Sequence, residues 1–175
     1  MFSPSASQVR DFQNTVFQRY DLHRRSLPWR ETTDPYSIWI SEVMSQQTQV
    51  DRVLSYYDRF LQVYPTVFDL KDASSTDILR LWSGLGYNSR GLRLIQCARI
   101  VVDQFGGEFP REEFQLLTLP GIGPYTARAL QAFARNMEVP VIDTNIRRVL
   151  IAFFGLDEQI SVSDLENFAF SCIPI

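Results

Sequence analysis

Every readable hydrophobic period in this chain repeats at three- to four-residue steps, and no two strand-like runs are separated by a helix. That pattern excludes a parallel βαβ sheet and predicts an all-α fold with next to no β-structure. Proline and glycine punctuate it closely, at Pro28, Pro35, Pro65, Gly84, Gly86, Gly106, Gly107, Pro120, Gly121, Gly123 and Pro124. The result is about nine short helices joined by tight loops. No internal repeat, low-complexity tract or linker interrupts them.

The first helix, residues 5–25, carries Val9, Phe12, Val16, Phe17 and Tyr20 at helical spacing. Asp34 followed by Pro35 is a helix start, a capping side chain before proline at the first helical position. The helix it opens has Trp39, Ile40, Val43 and Met44 on its apolar side. Further helices are predicted over residues 50–63, a short stretch capped by Ser74 to Asp77 and ending at Trp82, then 89–105, 112–118, 124–135, 145–154 and 164–172. On 89–105, Leu92, Ile95, Ala98, Ile100 and Val101 face the core. Residues 68–73 read as a turn and 139–142 as a short, extended, buried segment. Trp39, Trp82, Phe60, Phe133, Phe153 and Cys97 are assigned to the core, and His23 to the surface without a role.

Composition narrows the chemistry. The chain has 175 residues, which suits one domain or two small lobes. Cys97 and Cys172 are the only two cysteines. They exclude a disulfide framework and a self-contained four-cysteine metal or cluster site. No apolar run approaches the roughly 20 residues of a membrane helix, and the N-terminus lacks a secretory pattern, so an intracellular location without membrane association is expected. The net charge of −3 is not that of a typical nucleic-acid binder. Yet residues 1–77 carry −2, residues 78–148 carry +3 and residues 149–175 carry −4, so a basic middle is flanked by acidic ends. Lys71 is the sole lysine beside sixteen arginines.

Three stretches carry functional signals. In Leu119-Pro120-Gly121-Ile122-Gly123-Pro124-Tyr125-Thr126-Ala127, Gly121 and Gly123 admit backbone angles that a side chain forbids. Ile122 can then enter the core while the turn's N–H groups face outward, at a helix start suited to phosphate. This helix-hairpin-helix pattern grips a DNA backbone without reading sequence. The same turn would also serve a plain corner between two helices. In the second stretch, Asp143 follows an apolar run and precedes Asn145, Arg147 and Arg148. It can cap the next helix, and an anion so placed can also stabilise positive charge developing on a sugar. In the third, Glu42 lies on a largely apolar helix, where it either faces solvent or sits in a cleft as a general acid. Gln46, Gln47 and Gln49 follow it in a polar break suited to base edges or to simple loop capping.

Taken in order, Leu27-Pro28-Trp29-Arg30, Ser41-Glu42-Val43-Met44, Gln46-Gln47-Thr48-Gln49-Val50, Trp82-Ser83-Gly84-Leu85-Gly86-Tyr87, Ser89-Arg90, Phe109-Pro110, Leu119 to Gly123, and Asp143 with Asn145 and Arg148 resemble the helix-hairpin-helix–GPD superfamily of DNA glycosylases. Within it they are most similar to the MutY-type adenine glycosylases. The resemblance covers roughly residues 27–150 and implies a two-lobed, all-α, endonuclease III-like fold. One lobe of six helices would span about 30–135 with the hairpin at 119–123. Residues 1–29 and 136–175 would form a second, incomplete lobe.

The resemblance further implies that Glu42 protonates adenine and later handles the water, and that Asp143 stabilises the oxocarbenium-like sugar. Gln46, Gln47 and Tyr87 would wedge into the duplex beside the flipped base. Arg90, Gly121, Gly123, Tyr125, Thr126, Asn145 and Arg148 would hold DNA. Bifunctional relatives carry lysine where this chain has Tyr125, so base removal without lysine-based strand cleavage is expected. The target would be adenine opposite guanine or 8-oxoguanine. The alternatives are a thymine or uracil mismatch enzyme of the same fold, or an inactive DNA-binding module. The family's usual [4Fe–4S] cluster has no cysteine set in this chain, so no cofactor and no metal site are expected. Neither is the domain that reads 8-oxoguanine, and Asn88 stands where a second tyrosine is common. The partner would be mismatched double-stranded DNA, met by a monomer in the bacterial cytoplasm or nucleoid, or in the nucleus or mitochondrion of a eukaryote.

Overall fold

The computed structural model describes residues 4–174, so Met1–Ser3 and Ile175 of the expected second lobe lie outside it. Among the described residues there are ten α-helices and no strand. They are α1 (Ala6–His23), α2 (Pro35–Ser45), α3 (Val50–Val63), α4 (Val67–Lys71), α5 (Ser75–Trp82), α6 (Ser89–Phe105), α7 (Glu113–Leu116), α8 (Pro124–Ala129), α9 (Thr144–Phe154) and α10 (Val162–Phe170). The all-α fold is therefore as the periodicity requires. No described helix is long and apolar enough to cross a membrane. The chain divides into two compact units, Leu27–Asn136 and the combined segments Met1–Ser26 and Met137–Ile175.

The Leu27–Asn136 unit is built around α2. Asp34 caps it, accepting from the Tyr36 and Ser37 backbone N–H groups at 3.3 and 2.9 Å. Tyr36, Ile38, Trp39, Ile40, Ser41, Val43 and Met44 are all buried, so α2 is apolar on nearly every side, as a central helix must be. It packs on α3, on α8 and on the π-helical turn Leu130–Ala134 that extends α8. Within the same unit α6 packs on α4 and α5. Gly91 lets α6 approach, since a Cβ there would lie 3.1 Å from Ile78 Cγ2 and Trp82 Cδ2. Of the expected α6 stripe, Ile95, Ala98 and Val101 are buried. Gly91, Leu94 and Cys97 are buried, whereas Leu92 and Ile100 are half-buried. Residues 67–71 form a helix where a turn was predicted, because Thr66 and Asp69 close a capping box.

The Tyr36 hydroxyl, buried in this core, donates to the Tyr64 carbonyl at 2.8 Å. Burial, reinforced by Asp69 and Asp34, pushes its pKa far above the ordinary value of 10.0. The folded chain therefore holds this proton when the unfolded chain has lost it. Stability is unaffected below about pH 10 and falls as pH rises beyond it. Tyr36→Phe should flatten that alkaline decline in urea titrations. An equally steep decline in the variant would assign it elsewhere.

The second unit joins α1, α9 and α10. Its core is Leu150, Phe154, Leu156, Leu165, Phe168, Ala169 and Cys172, with Val9 and Phe12 packed against it. Phe12 meets Phe153 and Phe154 at ring separations of 5.1 and 5.2 Å. Of the predicted α1 stripe, Val9 and Phe12 pack on this core. Val16, Phe17 and Tyr20 are exposed, Phe17 by 52%. Phe133 (50%) and Phe153 (42%) are also exposed, which corrects their assignment to the core. Residues 139–142 are irregular and half-buried rather than buried, since no neighbouring strand covers them.

Candidate nucleic-acid interface and active site

Glu42 sits on the last turns of α2 and is half-buried, between the two extremes that its sequence context allowed. Immediately beyond it the helix ends at Gln46, and the chain turns sharply through Gln47, an exposed residue with φ of 55°. A second turn, between α5 and α6, passes through Tyr87, which has φ of 48° and is 64% exposed. Asn136 is the only other non-glycine residue with positive φ among the described residues. Each such side chain costs about 1–2 kcal/mol in the left-handed region. Both strained residues are among those expected to enter the duplex.

The side chain that holds these two turns is Arg90. It was expected to touch DNA, but only 7% of it is exposed. Its Nη1 donates to the carbonyls of Val43 (2.8 Å), Met44 (3.2 Å) and Gln46 (2.5 Å). Its Nη2 donates to Thr48 Oγ1 (3.3 Å) and to the carbonyls of Leu85 (3.2 Å) and Gly86 (3.1 Å). The guanidinium also lies 5.5 Å from the Trp82 ring centroid and 5.6 Å from that of Tyr87. Burial lowers its pKa while Tyr87 opposes that shift. A guanidinium nonetheless keeps its charge in proteins. Its Nη donors are spent on five backbone carbonyls and Thr48 Oγ1, while the buried Nε has no hydrogen-bond partner, so the guanidinium is turned inward rather than presented to DNA as expected.

The hairpin joins α7 to α8. Ile122 is buried and its N–H bonds back to the Leu119 carbonyl at 3.1 Å. Gly121 has φ of 84° and is exposed, so it does require glycine. Gly123 does not: its φ is −97°, an extended angle open to any residue. A Cβ at Gly123 would meet nothing within 4 Å, so this residue leaves open the approach to the first N–H groups of α8. Tyr125 is 40% exposed beside it, whereas Thr126, also expected at the DNA, is only 3% exposed. One residue not anticipated from the sequence joins this surface. The exposed Arg93 on α6 runs its stem beneath the turn, with Cβ and Cδ 3.4 Å from where a Gly121 Cβ would stand. Trp39, Val43, Gln46 and Arg90 line a narrow cleft together with Arg93 and Gly121, linking the α2 terminus to the hairpin.

In the other unit, Asp143 caps α9. One carboxylate oxygen accepts from the Ile146 N–H at 2.7 Å and the other from the Asn145 side-chain amide at 3.1 Å. Asn145 and Arg148 are exposed, whereas Arg147 is committed to the Glu158 and Ile160 carbonyls. Lys71 is the last residue of α4, and its carbonyl accepts from Arg99 Nε at 3.0 Å. Cys97 and Cys172 are buried, one in the core of each unit, and burial raises both thiol pKa values. Among the described residues no three His, Cys, Asp or Glu side chains stand together as metal ligands.

Comparison with known proteins gives these features a context. The model of the HhH-GPD superfamily base excision DNA repair proteins matches residues 40–173. An adenine DNA glycosylase of Rattus norvegicus is 45% identical over 160 residues, covering 86% of this chain and 31% of the relative. One from Buchnera aphidicola subsp. Baizongia pistaciae is 40% identical over 147 residues, covering 83% of this chain and 42% of the relative. The chain therefore spans less than half the length of either. The solved structure of a thermostable thymine-DNA glycosylase superposes with a TM-score of 0.87 at 29% identity, covering 96% of this chain and 79% of that one.

Proposed function

The chain belongs to the HhH-GPD superfamily of base excision DNA repair proteins, and on that premise we propose that it acts as a monofunctional adenine DNA glycosylase on double-stranded DNA. What carries the reading is the end of α2, where a half-buried Glu42 precedes the outward turn at Gln46 and Gln47. The 40% and 45% identities to adenine glycosylases support the choice of base.

In this reading Gly121, Gly123, Arg93 and Arg148 hold phosphates, Tyr125 and Asn145 line the strand, and Gln46, Gln47 and Tyr87 occupy the space that the extruded adenine leaves. Glu42 donates its proton to the adenine ring as the bond from N9 to the sugar C1′ breaks. The electron pair leaves with the base, and positive charge develops on the sugar. The Asp143 carboxylate stabilises that charge. Water then adds to C1′ and its proton passes to the Glu42 carboxylate, which restores both groups and leaves an abasic site. Tyr125 has no amine to form a Schiff base, so the strand stays intact without added alkali. The enzyme would work as a monomer wherever the genome is kept.

A second reading changes the base to thymine, and the superposition on the thymine-DNA glycosylase favours it. A panel of duplexes with A:8-oxoguanine, A:G, T:G and U:G, each cleaved with alkali after incubation, separates the two. Cleavage of the adenine strand, dependent on alkali, is expected. Cleavage of T:G or U:G alone would replace the first reading with the second. Cleavage without alkali would overturn the monofunctional assignment.

A further inference from the structure

One buried cation contacts two strained turns. Nη1 and Nη2 of Arg90 carry four N–H hydrogens and face six acceptors, all neutral. Two acceptors, the Val43 and Met44 carbonyls, belong to the last turn of α2 and a third, that of Gln46, is its C-cap, at the negative end of that helix, where a cation is favoured. Thr48 Oγ1 lies just after Gln47, and its hydroxyl reaches the Gln46 carbonyl at 3.3 Å. The Leu85 and Gly86 carbonyls lie just before Tyr87. So Arg90 grips both sides of Gln47 and the near side of Tyr87, two of the three exposed residues among those described whose backbones are left-handed without being glycine.

We infer that Arg90 is a positioning residue that locks the 46–48 and 85–87 turns into one preformed wedge, aimed at the duplex before DNA arrives. The strain in each turn is held by bonds to the same guanidinium, so the two cannot move independently. Preformed geometry matters because displacement of about 1 Å at such a site costs on the order of 100-fold in rate. Lysine cannot substitute. Its ammonium is a single point with three donors, whereas the planar fork of arginine spans two loops. The wedge's use in base extrusion rests on the glycosylase reading above. Its rigidity does not.

The test uses the full chain, with Arg90→Lys, Tyr87→Ala and the double variant. Four quantities are read: melting temperature, binding to a fully paired duplex, single-turnover base release from A:8-oxoguanine DNA, and amide hydrogen exchange. In Arg90→Lys, exchange at Gln47, Thr48 and Tyr87 should quicken about tenfold or more while the amides of α3 stay protected. Base release should slow about 100-fold with paired-duplex binding changed less than about twofold. Tyr87→Ala should then add little in the Arg90→Lys background, because an unpositioned wedge has less to lose. Unchanged exchange at both turns would overturn the inference, as would losses in rate that simply multiply in the double variant. If the wild-type protein releases no base from any duplex, the glycosylase reading falls, and exchange alone decides on the clamp. Should Arg90→Lys fail to fold, Thr48→Val removes one acceptor only. It should quicken exchange at Gln47 but not at Tyr87, and no change at Gln47 would count against the clamp.

Discussion

Asp143→Asn should lower base release by about 10²–10³-fold or more while leaving the fold intact. The two roles of this residue separate in that variant. Asparagine caps a helix as well as aspartate does, so the bond to the Ile146 N–H survives and melting should barely move. What disappears is the negative charge that the proposed mechanism sets against a developing positive sugar. Asp143→Ala removes both, and should add a stability loss of about 1 kcal/mol to the same loss of rate. The decisive measurement is single-turnover cleavage of A:8-oxoguanine duplex, developed with alkali. If Asp143→Asn cleaves as fast as the wild type, Asp143 is a cap and nothing more.

Glu42→Gln should cost about 10²–10⁴-fold in base release, with DNA binding and melting little changed. Glutamine matches the size of the side chain on a half-buried helix position but has no acidic proton to give. The leaving group distinguishes this loss from the one at Asp143. A purine that already carries a fixed positive charge departs without protonation, so it should recover most of the rate in Glu42→Gln. The same substrate should recover little in Asp143→Asn, because the sugar still develops charge without its counter-ion. Equal recovery in both variants would mean that Glu42 is not the acid.

These expectations rest on features of different origin. The ends of α3 and α6 were legible because they are local. Pro65 stops one, and Gly106, left-handed at φ of 65°, closes the other. The Asp34 cap of α2 and the Gly121 turn were legible for the same reason, since each depends on residues within one helical turn. Gly123 misled, because a glycine in sequence does not say which angle it adopts. The core was harder to read. Phe133 and Phe153 have the composition of core residues, but whether an aromatic ring is covered depends on what packs over it.

Arg90 marks the limit of the linear reading. From the sequence it is one of sixteen arginines, in the basic middle of the chain, and a DNA contact is what the family resemblance implies for it. Its acceptors at Val43, Met44 and Gln46 lie 44 to 47 positions earlier. No periodicity connects them. The sequence by itself determined the all-helical class, the hairpin turn and the Asp143 cap of α9, because capping, turn angles and hydrophobic period act over a few neighbouring residues. Only the tertiary structure decided which arginine turns inward to hold the wedge and which, like Arg93, stays at the surface. A guanidinium goes where unsatisfied carbonyls converge, and that convergence exists only once α2, α5 and α6 have packed.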